Sequence, residues 1–164
     1  MSTENEKIKK VSIICAKGAI EDVYAALVLA NGACMEGIEA SMFFTFFGLD
    51  AITKKQLKKL HTATVGNPAM RMPGGLPFPT FLGVLPGVEA GVSAMMKKEM
   101  EKLDIPPVDE FLEIFKASGG KVFACKMAMD MFKLKEEDLH ESVDAVLTVG
   151  DFYQESAGAQ IIFT

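Results

Sequence analysis

Little in this sequence suggests a disulfide framework, a metal centre or a nucleotide loop. Of 164 residues only three are cysteine (Cys15, Cys34 and Cys125) and two are histidine (His61 and His140). An odd, scattered set of cysteines does not make a disulfide framework, and without a C-x-x-C pair a thioredoxin-like dithiol has no support. Neither histidine stands at metal-ligand spacing from a cysteine or from the other histidine, so no metal is expected. The Walker spacing and G-x-G-x-x-G are both missing. Gly18 is followed by Glu21 and Asp22, whose charge would repel a phosphate at a helix start. A net charge of −5 offers no basic face to nucleic acid. No uninterrupted apolar segment is long enough for a membrane helix, and the polar residues 1–7 have no signal-peptide core behind them. The expectation is a soluble cytoplasmic protein whose thiols are core residues, reactive groups or both.

What is present is an alternation of short apolar runs and helical periodicities. Residues 1–9 read as a flexible tail and residues 10–164 as one domain. A first strand over 11–16 is punctuated by Lys17-Gly18. A helix over 20–35 carries Val23, Ala26, Leu27, Ala30, Ala33 and Cys34 as one buried stripe. Residues 38–47 read as a strand buried on both faces, ended by Gly48-Leu49-Asp50. Thr53-Lys54-Lys55-Gln56 resembles a capping box opening a short basic helix to Leu60. From 66 to 91 the pattern breaks. Pro68, Pro73, Pro77, Pro79 and Pro86 exclude a regular helix, yet the segment is apolar and uncharged between Arg71 and Glu89. Such an insert is a lid, an oligomer contact or a membrane-touching loop, the last least favoured.

Helix resumes over 92–103, with Val92, Met95, Met96, Met100 and Leu103 expected to face inward. Another helix, marked by Val108, Phe111, Leu112 and Phe115, stops at Gly119-Gly120. Then come a strand over 121–124, a Met-rich helix over 126–132, and a strand over 145–149. Gly150-Asp151 opens a short helix closed by Gly158, and the last strand covers 160–163. Five short apolar strands alternating with helices predict a three-layer α/β sandwich around a mainly parallel sheet, with right-handed crossovers.

In such sheets chemistry collects at the carboxyl ends of strands. Gly119-Gly120-Lys121-Val122-Phe123-Ala124-Cys125-Lys126-Met127 places a thiol where a buried strand runs into a helix, beside a lysine. A helix start and a neighbouring cation both favour thiolate, the reactive form. A structural cysteine closing the strand is the alternative. Cys15 is a buried strand residue or a resolving thiol, the former preferred, and Cys34 is core. Lys17 either holds an anionic substrate or is simply solvated. The methionines are core filler or adaptable contact surface, with thioether copper binding a remote alternative.

Taken together, three stretches resemble the DsrE/DsrF/DsrH-like family. They are Cys15-Ala16-Lys17-Gly18 with the following helix, Phe43-Phe44-Thr45-Phe46-Phe47-Gly48-Leu49, and Phe123-Ala124-Cys125-Lys126-Met127-Ala128-Met129-Asp130. The insert Gly66-Asn67-Pro68-Ala69-Met70-Arg71-Met72-Pro73 is similar to the branch that carries a Pro/Met-rich insertion. The resemblance implies a DsrE-like, flavodoxin-like fold, homo-oligomerisation, and sulfurtransferase chemistry through a cysteine persulfide on Cys125. It needs no metal or organic cofactor. It also implies TusA-like or rhodanese-like sulfur carriers as partners. By position at the strand tips, Lys17, Gly18, Thr45, Lys126 and Gly150 would line the substrate crevice. Two other readings stand beside it: a redox- or sulfur-responsive binding protein, and a structural oligomer subunit without turnover.

Overall fold

The computed structural model describes residues 7–65, 67, 69–72 and 75–164. Most of the expected N-terminal tail, and Gly66, Pro68, Pro73 and Gly74 of the insert, lie outside the described residues. Five strands, β1 (Lys10–Cys15), β2 (Glu39–Phe44), β3 (Lys121–Cys125), β4 (Ala145–Leu147) and β5 (Gln160–Phe163), form one sheet in the order β4-β3-β2-β1-β5. Every pairing is parallel. Helix α1 (Ile20–Met35) joins β1 to β2, and α2 (Val88–Lys102) and α3 (Val108–Ala117) precede β3. Helix α4 (Lys126–Phe132) follows β3, and α5 (Val149–Glu155) links β4 to β5.

The register sorts side chains onto two faces, because successive residues of a strand point to opposite sides. Val11, Ile13 and Cys15 lie level with Ala40, Met42 and Phe44, and the last two with Val122 and Ala124. This face is closed by α1 and α3. Ile20, Val23, Ala26, Leu27 and Ala30 of α1, and Leu112 and Phe115 of α3, complete a buried core. The other face carries Ser12, Ile14, Ser41, Phe43, Phe123 and Cys125. Right-handed crossovers put α1 and α3 on one side, while the return path from β4 to β5 puts α5 on the other. Phe152 of α5 stacks on Phe43 with ring centroids 4.6 Å apart. Glu155 at the end of α5 holds Lys10 through its carbonyl (2.6 Å) and Lys121 through its carboxylate (2.8 Å). Both lysines project to that same face.

Helix α1 has the expected bounds and ends in Gly37, whose φ of +72° is the left-handed conformation that closes helices. Its stripe ends at Asn31, with Ala33 and Cys34 only partly buried. Several expectations need correction; the strand expected over 145–149, for one, ends at Leu147, and Val149 already belongs to α5. The second strand stops at Phe44 rather than Phe47. Phe46 takes φ +44° and turns the chain into a 3-10 helix over Phe46–Ile52, which Gly48 fastens by donating its N–H to the Thr45 carbonyl. Thr53 does not open a helix but closes the preceding 3-10 helix. Its hydroxyl donates to the Leu49 carbonyl at 2.7 Å, its backbone bridges Leu139, and only Leu57–Lys59 coils, as a 3-10 turn. Within the insert Thr80–Val84 forms a 3-10 helix, and α2 begins at Val88, four residues early, since Gly87 (φ +85°) makes the turn into it. Helix α2 buries Ser93, whose Oγ accepts from the Thr62 N–H, whereas Leu103 is 72% exposed rather than inward.

Candidate functional site

Cys125 is the last residue of β3 and the N-cap of α4, and it is 3% exposed. Leu147 of β4 is its register partner on one side. On the other side Thr45, extended at φ −137°, ψ 164°, continues β2 by one residue in the same row. Thr45 is buried and donates its N–H to the Cys15 carbonyl at 3.0 Å. Lys126 follows, but its ammonium lies 2.5 Å from the Asp130 carboxylate one turn on. Gly150 sits exposed in the first turn of α5, three residues beyond Leu147. Thus Thr45 flanks Cys125 and Gly150 opens the helix after the neighbouring strand.

The segments that adjoin Cys125 in the chain expose apolar side chains beside the charged Lys126 and Asp130. Phe46, Phe47, Met127, Met131 and Phe132 are all exposed, and the Phe47 and Phe132 rings pack 5.5 Å apart. The aromatic pair was missed in the sequence, where Phe46-Phe47 read as strand.

Lys17 and Gly18 lie elsewhere. They line a crevice of about 550 Å³ at the start of α1, together with Asp22, Asp50, Gln56, Lys59, His61 and Glu89. Cys125, Thr45, Lys126 and Gly150 are not in its lining. Lys17 pairs with Asp22 at 3.2 Å. Gly18 has a packing role: a Cβ there would meet the Phe47 carbonyl oxygen at 2.6 Å. Phe47 touches both places, lining the crevice and stacking on α4.

Cys15 is fully buried and donates its thiol to the Lys17 carbonyl at 3.5 Å. Burial pushes its pKa up to about 11. Cys15 is level with Phe44, and Phe44 with Ala124, so Cys125 is one step further along and on the opposite face. Two strand spacings also separate β1 from β3, about 10 Å. A disulfide needs Cα atoms within about 7 Å and converging Cβ vectors. Cys15 is therefore no resolving thiol for Cys125 in this fold. Cys34 is partly buried, its thiol pKa raised by that burial.

Among the described residues one histidine–carboxylate group, Glu113, His140 and Glu141, brings its polar atoms within 4.8 Å. His140 Nδ1 accepts from the Ser142 N–H at 3.3 Å and lies 3.0 Å from the Ser142 hydroxyl.

A parallel, doubly covered α/β sheet with a cysteine at a strand tip defines the class. The sequence matches the DsrE/DsrF/DrsH-like family over residues 7–163, and the chain belongs to that family. It is 34% identical over 138 residues to the sulfur carrier protein DsrE2 of Allochromatium vinosum, covering 83% of this chain and 86% of that protein. It is 29% identical over 147 residues to the uncharacterized protein YrkE of Bacillus subtilis, covering 85% and 86%. Among solved structures it resembles the YchN protein of E. coli (TM-score 0.54, 16% identity, 96% of this chain and 100% of that one). It also resembles a protein of unknown function from Methanobacterium thermoautotrophicum (TM-score 0.55, 11% identity, 94% and 98%). These two likenesses speak to the fold. No helix among the described residues is long and apolar enough to cross a membrane.

Proposed function

We propose that this protein is a sulfur-relay protein that carries sulfane sulfur as a persulfide on Cys125. The observation that carries the reading is the place of Cys125, at the tip of β3 where the chain turns into α4, in a family whose relative is named a sulfur carrier. In the first step the Cys125 thiolate attacks the outer sulfur of a donor persulfide. The donor's S–S bond breaks, its thiolate leaves, and Cys125 becomes Cys–S–SH. In the second step an acceptor thiolate attacks that outer sulfur and the Cys125 thiolate departs. One sulfur atom moves and no net oxidation occurs. The opposite-face placement of Cys15 supports this reading. An internal disulfide does not compete, so the sulfur leaves to another molecule. Thr45 and Leu147 flank the thiol on either side; Lys126 and Gly150 stand at the rim.

At 3% exposure, Cys125 is largely covered. The exposed phenylalanines and methionines of the adjoining segments suit a protein partner, a TusA-like or rhodanese-like carrier, or a second copy of the chain. The same burial favours one rival, an inert core thiol in an oligomer subunit. Intact mass of the reduced protein after exposure to thiosulfate, polysulfide or a persulfidated carrier decides between them. The expected result is a gain of one sulfur, absent in Cys125→Ser and removed by a carrier thiol. If Cys125→Ser gains and passes on sulfur like the parent, the assignment fails. If the native protein takes up neither sulfur nor an alkylating reagent, the structural reading stands.

A further inference from the structure

The crevice at the start of α1 contains charges that the relay leaves unused. Six ionisable groups line it, three basic and three acidic: Lys17, Lys59, His61, Asp22, Asp50 and Glu89. Four of them lie in two pairs. Lys17 pairs with Asp22 at 3.2 Å, and His61 Nδ1 lies 3.8 Å from Glu89. Among the described residues, Asp50 and Lys59 have no charged or hydrogen-bonding side-chain partner, and the Gln56 amide beside them has none either. Asp50 is half-buried, and its carboxyl stands above the ordinary carboxylate range because burial penalises its charge.

Asp50 is also held in place. The 3-10 helix that bears it is pressed against the end of β1. A Cβ on Gly48 would meet the Cys15 carbonyl oxygen at 2.1 Å, and one on Gly18 would lie 3.6 Å from the Asp50 carboxylate. Close backbone packing thus fixes a half-buried acid in the cavity wall, and the exposed Lys59, at the end of the 3-10 turn Leu57–Lys59, lines the same cavity. At about 550 Å³ the cavity is within the usual range for small-molecule sites, roughly 300–1,000 Å³. A ligand with one charge would satisfy one of the two groups and leave the other uncompensated. A ligand with both would satisfy both.

We propose that this crevice is a second binding site, for a zwitterionic molecule of amino-acid to small-peptide size, whose ammonium meets Asp50 and whose carboxylate meets Lys59. Cys125 is not in the lining of this crevice, although Phe47 of its wall packs on Phe132 of α4.

Isothermal titration of the full chain tests it with three probes that differ only in charge: triglycine, triglycine amide (ammonium alone) and N-acetyltriglycine (carboxylate alone). Triglycine is expected to bind the parent and Cys125→Ser equally, about tenfold or more tighter than either single-charge probe, as loss of one charged contact implies. Asp50→Asn should erase the advantage over N-acetyltriglycine, and Lys59→Met the advantage over the amide. The proposal is overturned if folded parent protein takes up no triglycine into the millimolar range. Equal binding of all three probes, or unchanged triglycine affinity in both variants, overturns it too. Because the probe series is read on the parent, the outcome stands even if a variant folds poorly. Cys125→Ser keeps failure here distinct from failure of the sulfur relay.

Discussion

Replacing Gly48 by alanine isolates one close approach that sets the position of Thr45 and the segment beside Cys125. Gly48 is absent from the residues with positive φ, so alanine meets no backbone strain. The obstacle is the Cys15 carbonyl oxygen, 2.1 Å from the new Cβ, with its carbonyl carbon at 2.8 Å. The oxygen is about 1.3 Å inside the 3.4 Å at which ordinary contact begins. It belongs to the end of a strand paired on both sides, and the same oxygen accepts the Thr45 N–H, so it cannot retreat without breaking the ladder. Overpacking of this kind costs about 1–3 kcal/mol, and a rigid backbone neighbour places it at the upper end, about 3 kcal/mol. For a chain of this size that lowers Tm by about 6–12 °C. Gly32 supplies the control. It lies within α1, and a Cβ there meets nothing within 4 Å, so Gly32→Ala should add about 0.5–1 kcal/mol through helix propensity alone. Urea unfolding followed by circular dichroism measures both. If Gly48→Ala unfolds within about 0.5 kcal/mol of the parent while Gly32→Ala is stabilised as expected, the close approach is not real.

Three further outcomes follow from the same geometry. Phe152→Ala removes the ring stacked on Phe43 from the one short helix on that face, and should cost about 3–5 kcal/mol in urea unfolding. A loss below about 1 kcal/mol would mean α5 does not cover the sheet as described. Cys15, raised from 9.0 to about 11 by burial, keeps its proton longer when folded than when unfolded. Its contribution to stability is full below pH 9 and is lost as pH rises toward 11. The urea midpoint of the parent should therefore fall between those limits more than that of Cys15→Ala, and equal slopes would contradict the assignment. Under diamide or copper-phenanthroline the native monomer should form no Cys15–Cys125 disulfide, checked by non-reducing peptide mapping, because the two thiols occupy opposite faces. A high yield of that crosslink without unfolding would require a different register.

Where a long periodic run met clear punctuation, the sequence was legible to the residue. Helix α1 over Ile20–Met35, α4 over Lys126–Phe132 and β5 over Gln160–Phe163 have the expected bounds. Hydrophobicity alone misled at Phe46 and Phe47. They extend an apolar run, but their side chains belong to an exposed 3-10 turn, 42% and 63% exposed. Leu103 misled in the same way, since α2 lies against the body mainly through Ser93 and partly buried methionines. The position of Cys125 at a strand tip was readable from Gly119-Gly120 and the following apolar run. What could not be read was which strands are neighbours. Without register, Lys17 and Gly18 looked like companions of Cys125, and Cys15 like a potential partner thiol. Parity along β1, β2 and β3 separates them, and parity is a property of pairing rather than of composition. The pair Asp50 and Lys59 carried no motif, being nine residues apart across two 3-10 turns.

The strand order has a consequence for how the chain is made. The final strand, β5, pairs not with its predecessor but with β1, Val11 lying beside Gln160 and Ile14 beside Phe163. A contact between residues that far apart in sequence forms late and slowly, because nearly the whole chain must close as a loop first. During synthesis one edge of β1 therefore stays unpaired until residues 160–163 have emerged, although β1, α1 and β2 are already available to associate. An open parallel edge is a template for pairing with another chain. Loss of β5, by truncation or proteolysis, would leave β1 as a permanently open edge of the remaining four-stranded sheet.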